Sequence, residues 1–347
     1  MIQDCLDKIS EFYNLTIDHT LTTKASNTPT FTLAFALLGA TVAGITLLRL
    51  LRLFFDVTIR KGISLKKFGA GKGTWAVVTG ATDGIGREFA FQLAKAGFNI
   101  VLASRSAEKL GAVAADLESK YNIKTKTQSI DFSAGDDSSY DALSNSIDGL
   151  NIGVLVNNVG KSHEMPVPFE QTPLDELKAI VEININATLR VTQAVLPKLI
   201  ERKNGLILNI GSFAGTVPTP LLATYTGSKS FLLSWTQALG EEVKSKGVTV
   251  ELVNTYFVVS SMSKIRRPSK LIPLPATYVR SVLTRIGLNG GSISRPYTST
   301  PYWSHAIVDA ILSLSGFKRL VLWYTHKMQK DIRQRALRKK EREAKKQ

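Results

Sequence analysis

Cysteine is almost absent from this sequence, because Cys5 is the only one among 347 residues. A single cysteine cannot form a disulfide within the chain, so a disulfide-bonded framework is excluded. The folded part either lies in a reducing compartment or has no need of bridges. The sequence also lacks zinc-ligand spacings, homeodomain signatures and RNA-binding signatures, so we expect no metal site and no nucleic-acid partner. No internal repeat is visible.

Acidic residues are scarce relative to basic ones: 28 Asp and Glu stand against 44 Lys and Arg, which gives a net charge of +16. A positive excess indicates an anionic partner, such as nucleic acid, anionic lipid or an anionic ligand. Much of the excess lies in the C-terminal tail, because residues 327–347 contain ten basic and three acidic side chains. Such a tail is typical of a solvated helix or of a cytosolic segment that faces lipid.

No charged residue occurs between Phe31 and Leu48, and the apolar run then continues around two arginines to residue 55. About 18 uncharged residues already make a candidate membrane span, so we predict a transmembrane helix over residues 31–55. A buried core helix and a cleaved signal peptide are the alternatives. The signal peptide is the weaker one, because the run lacks a basic lead-in and a small-residue cleavage site.

The charges on the two sides of this run differ in sign. Four acidic and two basic residues precede it, whereas six basic residues follow it: Arg49, Arg52, Arg60, Lys61, Lys66 and Lys67. The positive-inside rule therefore predicts that residues 1–30 are lumenal and that the body of the protein is cytosolic. Asn14-Leu-Thr16 is a glycosylation sequon that would then face the lumen.

From Gly73 onward, short apolar strands alternate with helical segments, which predicts an α/β fold of the Rossmann type with a doubly wound parallel sheet. The predicted strands are 75–79, 99–103, 126–130, 154–160, 206–210 and 248–253. The turn Gly80-Ala-Thr-Asp-Gly84-Ile-Gly86 connects the first strand to a helix, where backbone amides can bind a pyrophosphate. Its spacing departs from Gly-x-Gly-x-x-Gly, and an ordinary glycine turn is the alternative.

Polar residues follow three of these strands. The second strand ends at Ser104-Arg105, where an acid would bind the ribose 2′-hydroxyl of NAD; the arginine favours the 2′-phosphate of NADP, and a solvated arginine is the alternative. Asp131 after the third strand either meets the adenine amine or caps the next helix. The fourth strand ends at Asn157-Asn158, on the edge where such sheets bind ligands.

A tyrosine and a lysine occupy one face of a predicted helix, because Tyr225 and Lys229 are four residues apart. A phenol has a pKa of about 10, and we expect the neighbouring ammonium to lower it into the range useful for proton transfer. Ser212 follows the strand 206–210 and supplies a second hydroxyl for a carbonyl oxygen. Asn184 falls inside a predicted helix that ends near Pro197, although asparagine is an indifferent helix former. An exposed helical pair is the alternative for Tyr-x-x-x-Lys.

Together these motifs resemble those of the short-chain dehydrogenase/reductases over residues 70–262. The motifs are Thr79-Gly80-x-x-x-Gly84-x-Gly86, Asn157-Asn158-x-Gly160, Asn184, Ser212 and Tyr225-x-x-x-Lys229. The resemblance implies that Ser212 orients the substrate carbonyl and that Tyr225 donates a proton to its oxygen during reduction. It implies that Lys229 holds the nicotinamide ribose and lowers the Tyr225 pKa. Asn184 would anchor a water in a proton relay to the lysine.

The same resemblance implies a nicotinamide cofactor. Its expected binding residues lie in the glycine turn, at the strand ends and after the sixth strand: Gly80, Thr82, Asp83, Gly84, Ile85, Gly86, Arg105, Asp131, Asn158, Lys229, Val259 and Ser260. The sequence departs from the family after the sixth strand, where Thr255-Tyr256 stands in place of the usual Pro-Gly. Ser260 takes the position of the threonine that lies near the nicotinamide amide.

Within the family, the chain is most similar to the fungal microsomal members that act in fatty acid elongation. The shared sequence segments are Pro166-Val-Pro168, Pro218-Thr-Pro-Leu-Leu-Ala-Thr-Tyr225 and Ser261-Met-Ser-Lys-Ile-Arg-Arg267. This similarity implies NADPH-dependent reduction of a very-long-chain 3-oxoacyl-CoA to the 3-hydroxyacyl-CoA. A 17-oxosteroid reductase and a non-catalytic membrane scaffold of the elongation machinery are the alternatives.

The similarity also implies a location and partners. We expect an endoplasmic-reticulum membrane protein with a cytosolic catalytic domain, which works with a condensing enzyme, a dehydratase and an enoyl reductase. Pairing into a homodimer is left open. Residues 263–325 would form a substrate-side, membrane-associated segment, and residues 326–347 would form a basic tail. Within the first segment, Phe317–Tyr324 either lie on the membrane or cover the core. Four basic side chains are expected to receive the coenzyme A phosphates: Lys264, Arg266, Arg267 and Lys270.

Overall fold

The structure is a computed structural model that describes residues 29–345. The chain divides into two compact units, Met1–Arg52 and Leu53–Gln347. The sequon at Asn14 lies outside the described residues, as does all but the last two residues of the predicted lumenal segment. Helix α1, Pro29–Thr58, is long and apolar enough to cross a membrane. Its most apolar window is not buried in the protein, which is the opposite of what a core helix requires.

Seven parallel strands form one sheet in the order β3-β2-β1-β4-β5-β6-β7. Their bounds are β1 Trp75–Thr79, β2 Asn99–Ser104, β3 Thr125–Ser129, β4 Ile152–Asn157, β5 Gly205–Ile210, β6 Val248–Val253 and β7 Thr298–Ser299. The strand order changes direction between β1 and β4, which is the switch point where open α/β sheets bind ligands. The predicted Rossmann-type fold is confirmed, and β7 is too short to have left a pattern in the sequence.

Helices cover both faces of the sheet. They are α2 Gly84–Lys95, α3 Ala107–Tyr121, α4 Asp137–Ser146, α5 Leu174–Val181, α6 Ala187–Glu201, α7 Ala223–Lys244, α8 Pro275–Thr284, α9 Trp303–Ser315 and α10 Lys318–Ala344. One core cluster holds Phe89, Leu110 and Val282 from α2, α3 and α8. The other holds side chains from α4, α6 and α7. Because both faces are covered, every residue of β1, β4 and β5 is buried.

Two helices differ from the sequence-based expectation. The helix predicted to end near Pro197 continues to Glu201, because Val195 and Leu199 are buried against the sheet and this packing outweighs the local cost of a proline. The predicted division at residues 325 and 326 falls inside α10. The segment Phe317–Tyr324 does not cover the core, since Phe317, Trp323 and Tyr324 are each more than half exposed.

Candidate active site

The predicted site residues meet at the carboxyl ends of β1, β4 and β5. Ser212 follows β5 and begins a short 3-10 helix, Phe213–Gly215, in which its hydroxyl accepts a hydrogen bond from the Ala214 amide at 3.2 Å. The Phe213 amide donates to the Thr255 carbonyl at 3.0 Å, which ties this turn to the loop after β6. The Ser212 hydroxyl also lies close enough to the Tyr225 phenol to lower its pKa. The strand and helix α7 therefore bring together the two hydroxyls that the sequence predicts.

The acidity of Tyr225 differs from the sequence-based expectation. Burial raises the pKa of the Tyr225 phenol, and the neighbouring Ser212 hydroxyl lowers it by less. We expected Lys229 to lower this pKa, but its ammonium lies 5.9 Å from the centre of the phenol ring and bonds elsewhere. A phenol with a raised pKa is protonated at neutral pH, which is the form that donates a proton.

Lys229 is a buried charge. Its side chain is only 6% exposed, and its ammonium donates a hydrogen bond to the Ile210 carbonyl at 2.9 Å, at the end of β5. Burial lowers the pKa of Lys229 to about 8, because removal from water disfavours the ammonium. At pH 7 this pKa still leaves about ten ammonium groups for each neutral amine. The lysine can thus supply a positive charge beside the phenol.

Asn184 lies in a π-helical turn, Glu182–Asn186, between α5 and α6, and not in the regular α-helix predicted from the sequence. Its amide oxygen accepts from the Lys161 amide at 2.7 Å, and its amide nitrogen donates to the Lys161 carbonyl at 2.9 Å and to the Ser228 hydroxyl at 2.8 Å. Ser228 in turn donates to the Tyr225 carbonyl at 2.7 Å. Asn184 thus joins the loop after β4 to the helix that carries Tyr225, and π-turns are frequent at functional sites.

Gly160 separates the two polar groups of Asn184 and Lys229. A Cβ atom at this position would lie 3.4 Å from the Asn184 amide oxygen and 3.6 Å from the Lys229 ammonium nitrogen. Both groups therefore flank the same stretch of backbone.

The glycine turn has the backbone that a pyrophosphate site needs. Gly80 and Gly84 have φ angles of +64° and +53°, which favour glycine. A Cβ atom at Gly86 would lie 2.2 Å from the Gly80 carbonyl oxygen, so only glycine fits there. Asp83 caps α2, because its carboxylate accepts from the Gly84 amide at 2.8 Å. Thr82 shares a hydrogen bond of 2.9 Å with Ser104, and Ile85 follows in the first turn of α2.

Asn158 holds this turn against the end of β4. Its side-chain amide donates to the carbonyls of Thr79 at 3.0 Å and Gly80 at 3.3 Å, and its backbone amide donates to the Thr79 hydroxyl at 3.0 Å. Asn157 has a separate buried network, in which its amide donates to Thr192 and Asn209. Asn158 therefore binds the glycine turn, whereas Asn157 binds polar side chains in the core.

Arg105 and Asp131 follow β2 and β3, and both side chains are exposed. The Asp131 carboxylate accepts from the Ser133 hydroxyl at 2.6 Å and its amide at 2.9 Å. These bonds lower the pKa of Asp131, with smaller contributions from the charges of Arg105 and Lys161. Asp131 does not cap α4, because that role belongs to Asp136.

Val259 and Ser260 follow β6, and Ser260 lies beside the glycine turn. The Ser260 Cβ atom is 3.5 Å from the point where a Cβ of Gly84 would stand. The Val259 amide donates to the Pro273 carbonyl at 3.0 Å, and the Ser260 hydroxyl accepts from the Ser263 amide at 3.2 Å. The structure thus brings Ser260 beside the glycine turn, while Arg105 is exposed after β2.

Helix α10 contributes contacts that the sequence did not reveal. The Thr325 hydroxyl donates to the Pro218 carbonyl at 3.4 Å, in the loop that precedes Tyr225. The Arg333 guanidinium donates to the Pro166 carbonyl at 2.9 Å and to the Gln171 side chain at 2.8 Å. The basic composition of this helix indicated only charge and gave no signal for these contacts.

An aromatic cluster was also missed on this side of the site. The Phe213 and Tyr256 ring centres are 5.1 Å apart, and those of Tyr256 and His305 are 5.6 Å apart. Burial, and to a lesser extent Tyr324 on α10, raises the pKa of Tyr256. Burial lowers the pKa of His305 to about 4, so this imidazole is neutral at pH 7.

The four predicted coenzyme A ligands are exposed. The Lys264 ammonium donates to the Glu164 carbonyl at 2.6 Å. Among residues 29–345, no group of three or more His, Cys, Asp or Glu side chains is arranged to hold a metal ion.

The chain is similar to known proteins over most of its length. The short-chain dehydrogenase family matches residues 74–270. A Coprinopsis cinerea protein named very-long-chain 3-oxoacyl-CoA reductase is 56% identical over 319 residues, which cover 91% of this chain and 94% of that protein. A Mycosarcoma maydis protein of the same name is 52% identical over 344 residues, or 97% of each chain. A solved short-chain dehydrogenase from Sphingobium yanoikuyae in complex with NADPH shares the fold, with a TM-score of 0.57 at 23% identity over 70% of this chain and 96% of that one.

Proposed function

Because the chain belongs to the short-chain dehydrogenase/reductase family, we propose that it reduces very-long-chain 3-oxoacyl-CoA to 3-hydroxyacyl-CoA with NADPH. The family resemblance expected from the motifs is confirmed. The fungal relatives that carry this activity in their names match the chain almost from end to end. The observation that carries the proposal is that the Ser212 and Tyr225 hydroxyls lie near each other beside the buried Lys229.

These three side chains have complementary roles in the proposed reaction. NADPH, when bound, supplies the hydride that goes to C3 of the substrate. The Ser212 and Tyr225 hydroxyls hold the carbonyl oxygen, and the Tyr225 phenol gives its proton to the oxygen as negative charge develops there. The Lys229 ammonium stabilises the resulting phenolate. A fixed, buried charge acts more strongly than the same charge in bulk solution.

The proton that Tyr225 loses must be replaced before the next turnover. We assign this step to a water path that begins at Lys229 and passes Asn184, since both groups flank Gly160. The Asn184 side chain makes three hydrogen bonds within the protein, so its contribution is to hold Lys161 and Ser228 in place. Asn184 is in this respect a positioning residue for α7 and its tyrosine.

The preference for NADPH is proposed from Arg105. This arginine follows β2 at the position where an acid would select the 2′-hydroxyl of NAD, and its side chain is exposed and available to a phosphate. The glycine turn and the N-terminus of α2 would hold the pyrophosphate. Val259 and Ser260 would line the nicotinamide end. Asp131, whose carboxylate is fixed by Ser133, would accept from the adenine amine.

The substrate side is proposed to have two parts. The exposed basic residues Lys264, Arg266, Arg267 and Lys270 would receive the coenzyme A phosphates. The aromatic side chains of Phe213 and Tyr256, with the loop contacts of α10, would line the path of the acyl chain. We further propose that α1 anchors the protein in the endoplasmic-reticulum membrane with the body in the cytosol, where the other elongation enzymes would meet it.

The test is NADPH oxidation by the detergent-solubilised full chain with a long-chain 3-oxoacyl-CoA, with wild type beside Tyr225→Phe and with NADH as a second cofactor. We expect turnover that depends on Tyr225 and prefers NADPH. Turnover of a 17-oxosteroid but not of the acyl-CoA would preserve the mechanism and refute the substrate. Silence with both ketones would refute the enzymatic function and favour a non-catalytic scaffold.

A further inference from the structure

Helix α9 and the start of α10 both expose large apolar side chains. We call this set the C-terminal apolar patch, and its members are Trp303, Ile307, Ile311, Leu314, Leu320 and Trp323. The four members on α9 follow helical spacing and lie on one face of that helix. They are between 38% and 59% exposed, whereas large apolar side chains of a soluble surface are normally scattered singly.

The opposite face of α9 already has its partner. Ala306 and Ala310 are buried, and so is Asp309, whose carboxylate accepts from the Asn254 amide at 3.1 Å and pairs with Arg295. The buried face of α9 therefore packs on the body, and the apolar patch is a second, unpartnered face. The apolar part of α9, Trp303–Leu314, is too short to cross a bilayer, which needs about 20 residues.

The end of α1 is bound to the buried side of α9. Leu53 and Val57 pack against Ala306 and Ala310. The Arg285 guanidinium donates to the backbone carbonyls of Asp56 at 3.0 Å and Val57 at 2.6 Å, which fixes the last turn of α1. The helix whose length and composition suit a membrane thus ends on the helix that carries the patch.

The chemistry of the patch matches that of a membrane–water interface. Two of its six members are tryptophans, and Tyr324 lies beside Trp323; both residue types are enriched at the headgroup level of bilayers. The basic residues Arg319 and Lys327 flank it, and the Lys327 ammonium lies 5.7 Å from the centre of the Trp323 ring. Aromatic and aliphatic side chains flanked by basic residues are typical of segments that lie in the interface and contact anionic headgroups.

The patch also borders the candidate active site. Tyr324 is close enough to influence the pKa of Tyr256 in the aromatic cluster, and Thr325 bonds to the loop that precedes Tyr225. We propose that the C-terminal apolar patch inserts into the surface of the bilayer that α1 crosses. Insertion would place the mouth of the site at the membrane, so that an acyl chain enters from the lipid. Entry of the acyl chain from the lipid rests on the proposed function, whereas insertion of the patch into the bilayer surface does not.

The tryptophans of the chain provide a direct test. The full chain is reconstituted at one copy per nanodisc, in lipids that carry bromine near the headgroup end of the acyl chain, and tryptophan fluorescence is compared with that in unbrominated lipids. Trp303 and Trp323 lie in the patch, whereas Trp75 is buried in the core and Trp235 packs against that core, so these two serve as internal controls. We expect strong quenching in the wild type and little in W303F/W323F.

Equal quenching of the wild type and W303F/W323F, or none in either, would overturn the proposal. Shielding of the two tryptophans that appears only with two copies per disc would show that a second copy of the chain covers the patch, which would also overturn it. Enzymatic activity is not part of this readout, so failure of the proposed function leaves the result interpretable.

A kinetic test addresses the entry of the substrate. I311S/L320S is expected to raise the KM for a very-long-chain substrate several-fold in nanodiscs, and to leave the KM for a short, water-soluble 3-oxoacyl-CoA unchanged. An equal change for both substrates would refute entry from the lipid.

Discussion

Lys229→Met is expected to stabilise the folded protein at pH 7 while removing its activity. Burial lowers the pKa of Lys229 from 10.5 to about 8. One pKa unit corresponds to about 1.36 kcal/mol, so the charged lysine costs about 3 kcal/mol of folding free energy at pH 7. Methionine removes this cost but leaves the Ile210 carbonyl without its donor, at a cost of about 1–3 kcal/mol. The net gain is therefore between about 0 and 2 kcal/mol.

The pH dependence distinguishes this cause from improved packing. The folded state binds the lysine proton less tightly than the unfolded state does, so the cost is complete below about pH 8 and disappears as the pH rises to 10.5. The advantage of Lys229→Met should shrink over the same range. The measurement is the Tm of the full chain in detergent at pH 7, 8, 9 and 10, where we expect a rise of a few degrees at pH 7.

The matched control is Lys244→Met. This lysine lies at the end of the same helix, α7, but its side chain is exposed, so its substitution should change neither the Tm nor its pH dependence. The reasoning would be refuted if Lys229→Met lowered the Tm at pH 7, or if the difference from wild type were the same at pH 7 and pH 10.

Three further predictions concern the groove and its walls. Gly86→Ala should abolish NADPH binding measured by titration calorimetry, because the new Cβ atom would lie 2.2 Å from the Gly80 carbonyl oxygen. The control Gly111→Ala in α3 places its Cβ atom in open space and should bind NADPH normally. Normal binding by Gly86→Ala would contradict this geometry. Arg105→Ala should raise the KM for NADPH about tenfold or more and leave that for NADH unchanged, as expected for loss of a charge-assisted phosphate bond; equal effects on both cofactors would contradict the assignment. Arg333→Ala should raise the KM for the acyl-CoA with little change in kcat, because it removes the hydrogen bonds to Pro166 and Gln171. The control Arg335→Ala should have no effect. Equal KM values for these two variants would exclude a role for this contact.

The sheet could be predicted from the sequence because its strands are short, apolar and buried on both faces. The predicted bounds of 75–79 and 248–253 match β1 and β6 without change. Glycine turns and strand ends are equally local, so their residues could be identified by position. The two-residue strand β7 has no such pattern, because its pairing with β6 depends on a chain that returns more than 40 residues later.

Electrostatics could not be read from spacing alone. Tyr225 and Lys229 are four residues apart on α7, and the spacing correctly places them on one face. The spacing does not predict that the Lys229 ammonium donates to the Ile210 carbonyl or that both side chains are buried. Because burial disfavours the phenolate of Tyr225 and the ammonium of Lys229 alike, it raises the pKa of the tyrosine and lowers that of the lysine to about 8, so the two values move apart. The ammonium thereby becomes the stronger acid of the two groups, which favours return of a proton to the phenolate and follows only from the tertiary structure.

The role of Asn184 also depends on tertiary contacts that the sequence does not predict. In a sequence, an asparagine within an apolar helix predicts only a weak point, because its side chain competes for backbone hydrogen bonds. In the structure that competition is satisfied by Lys161, which lies 23 residues earlier, and by Ser228, which lies 44 residues later. The π-helical turn accommodates the resulting geometry. A residue that is unfavourable for its own helix thus fixes the position of the helix that carries Tyr225, and its replacement should affect the active site more than the stability of the helix in which it lies.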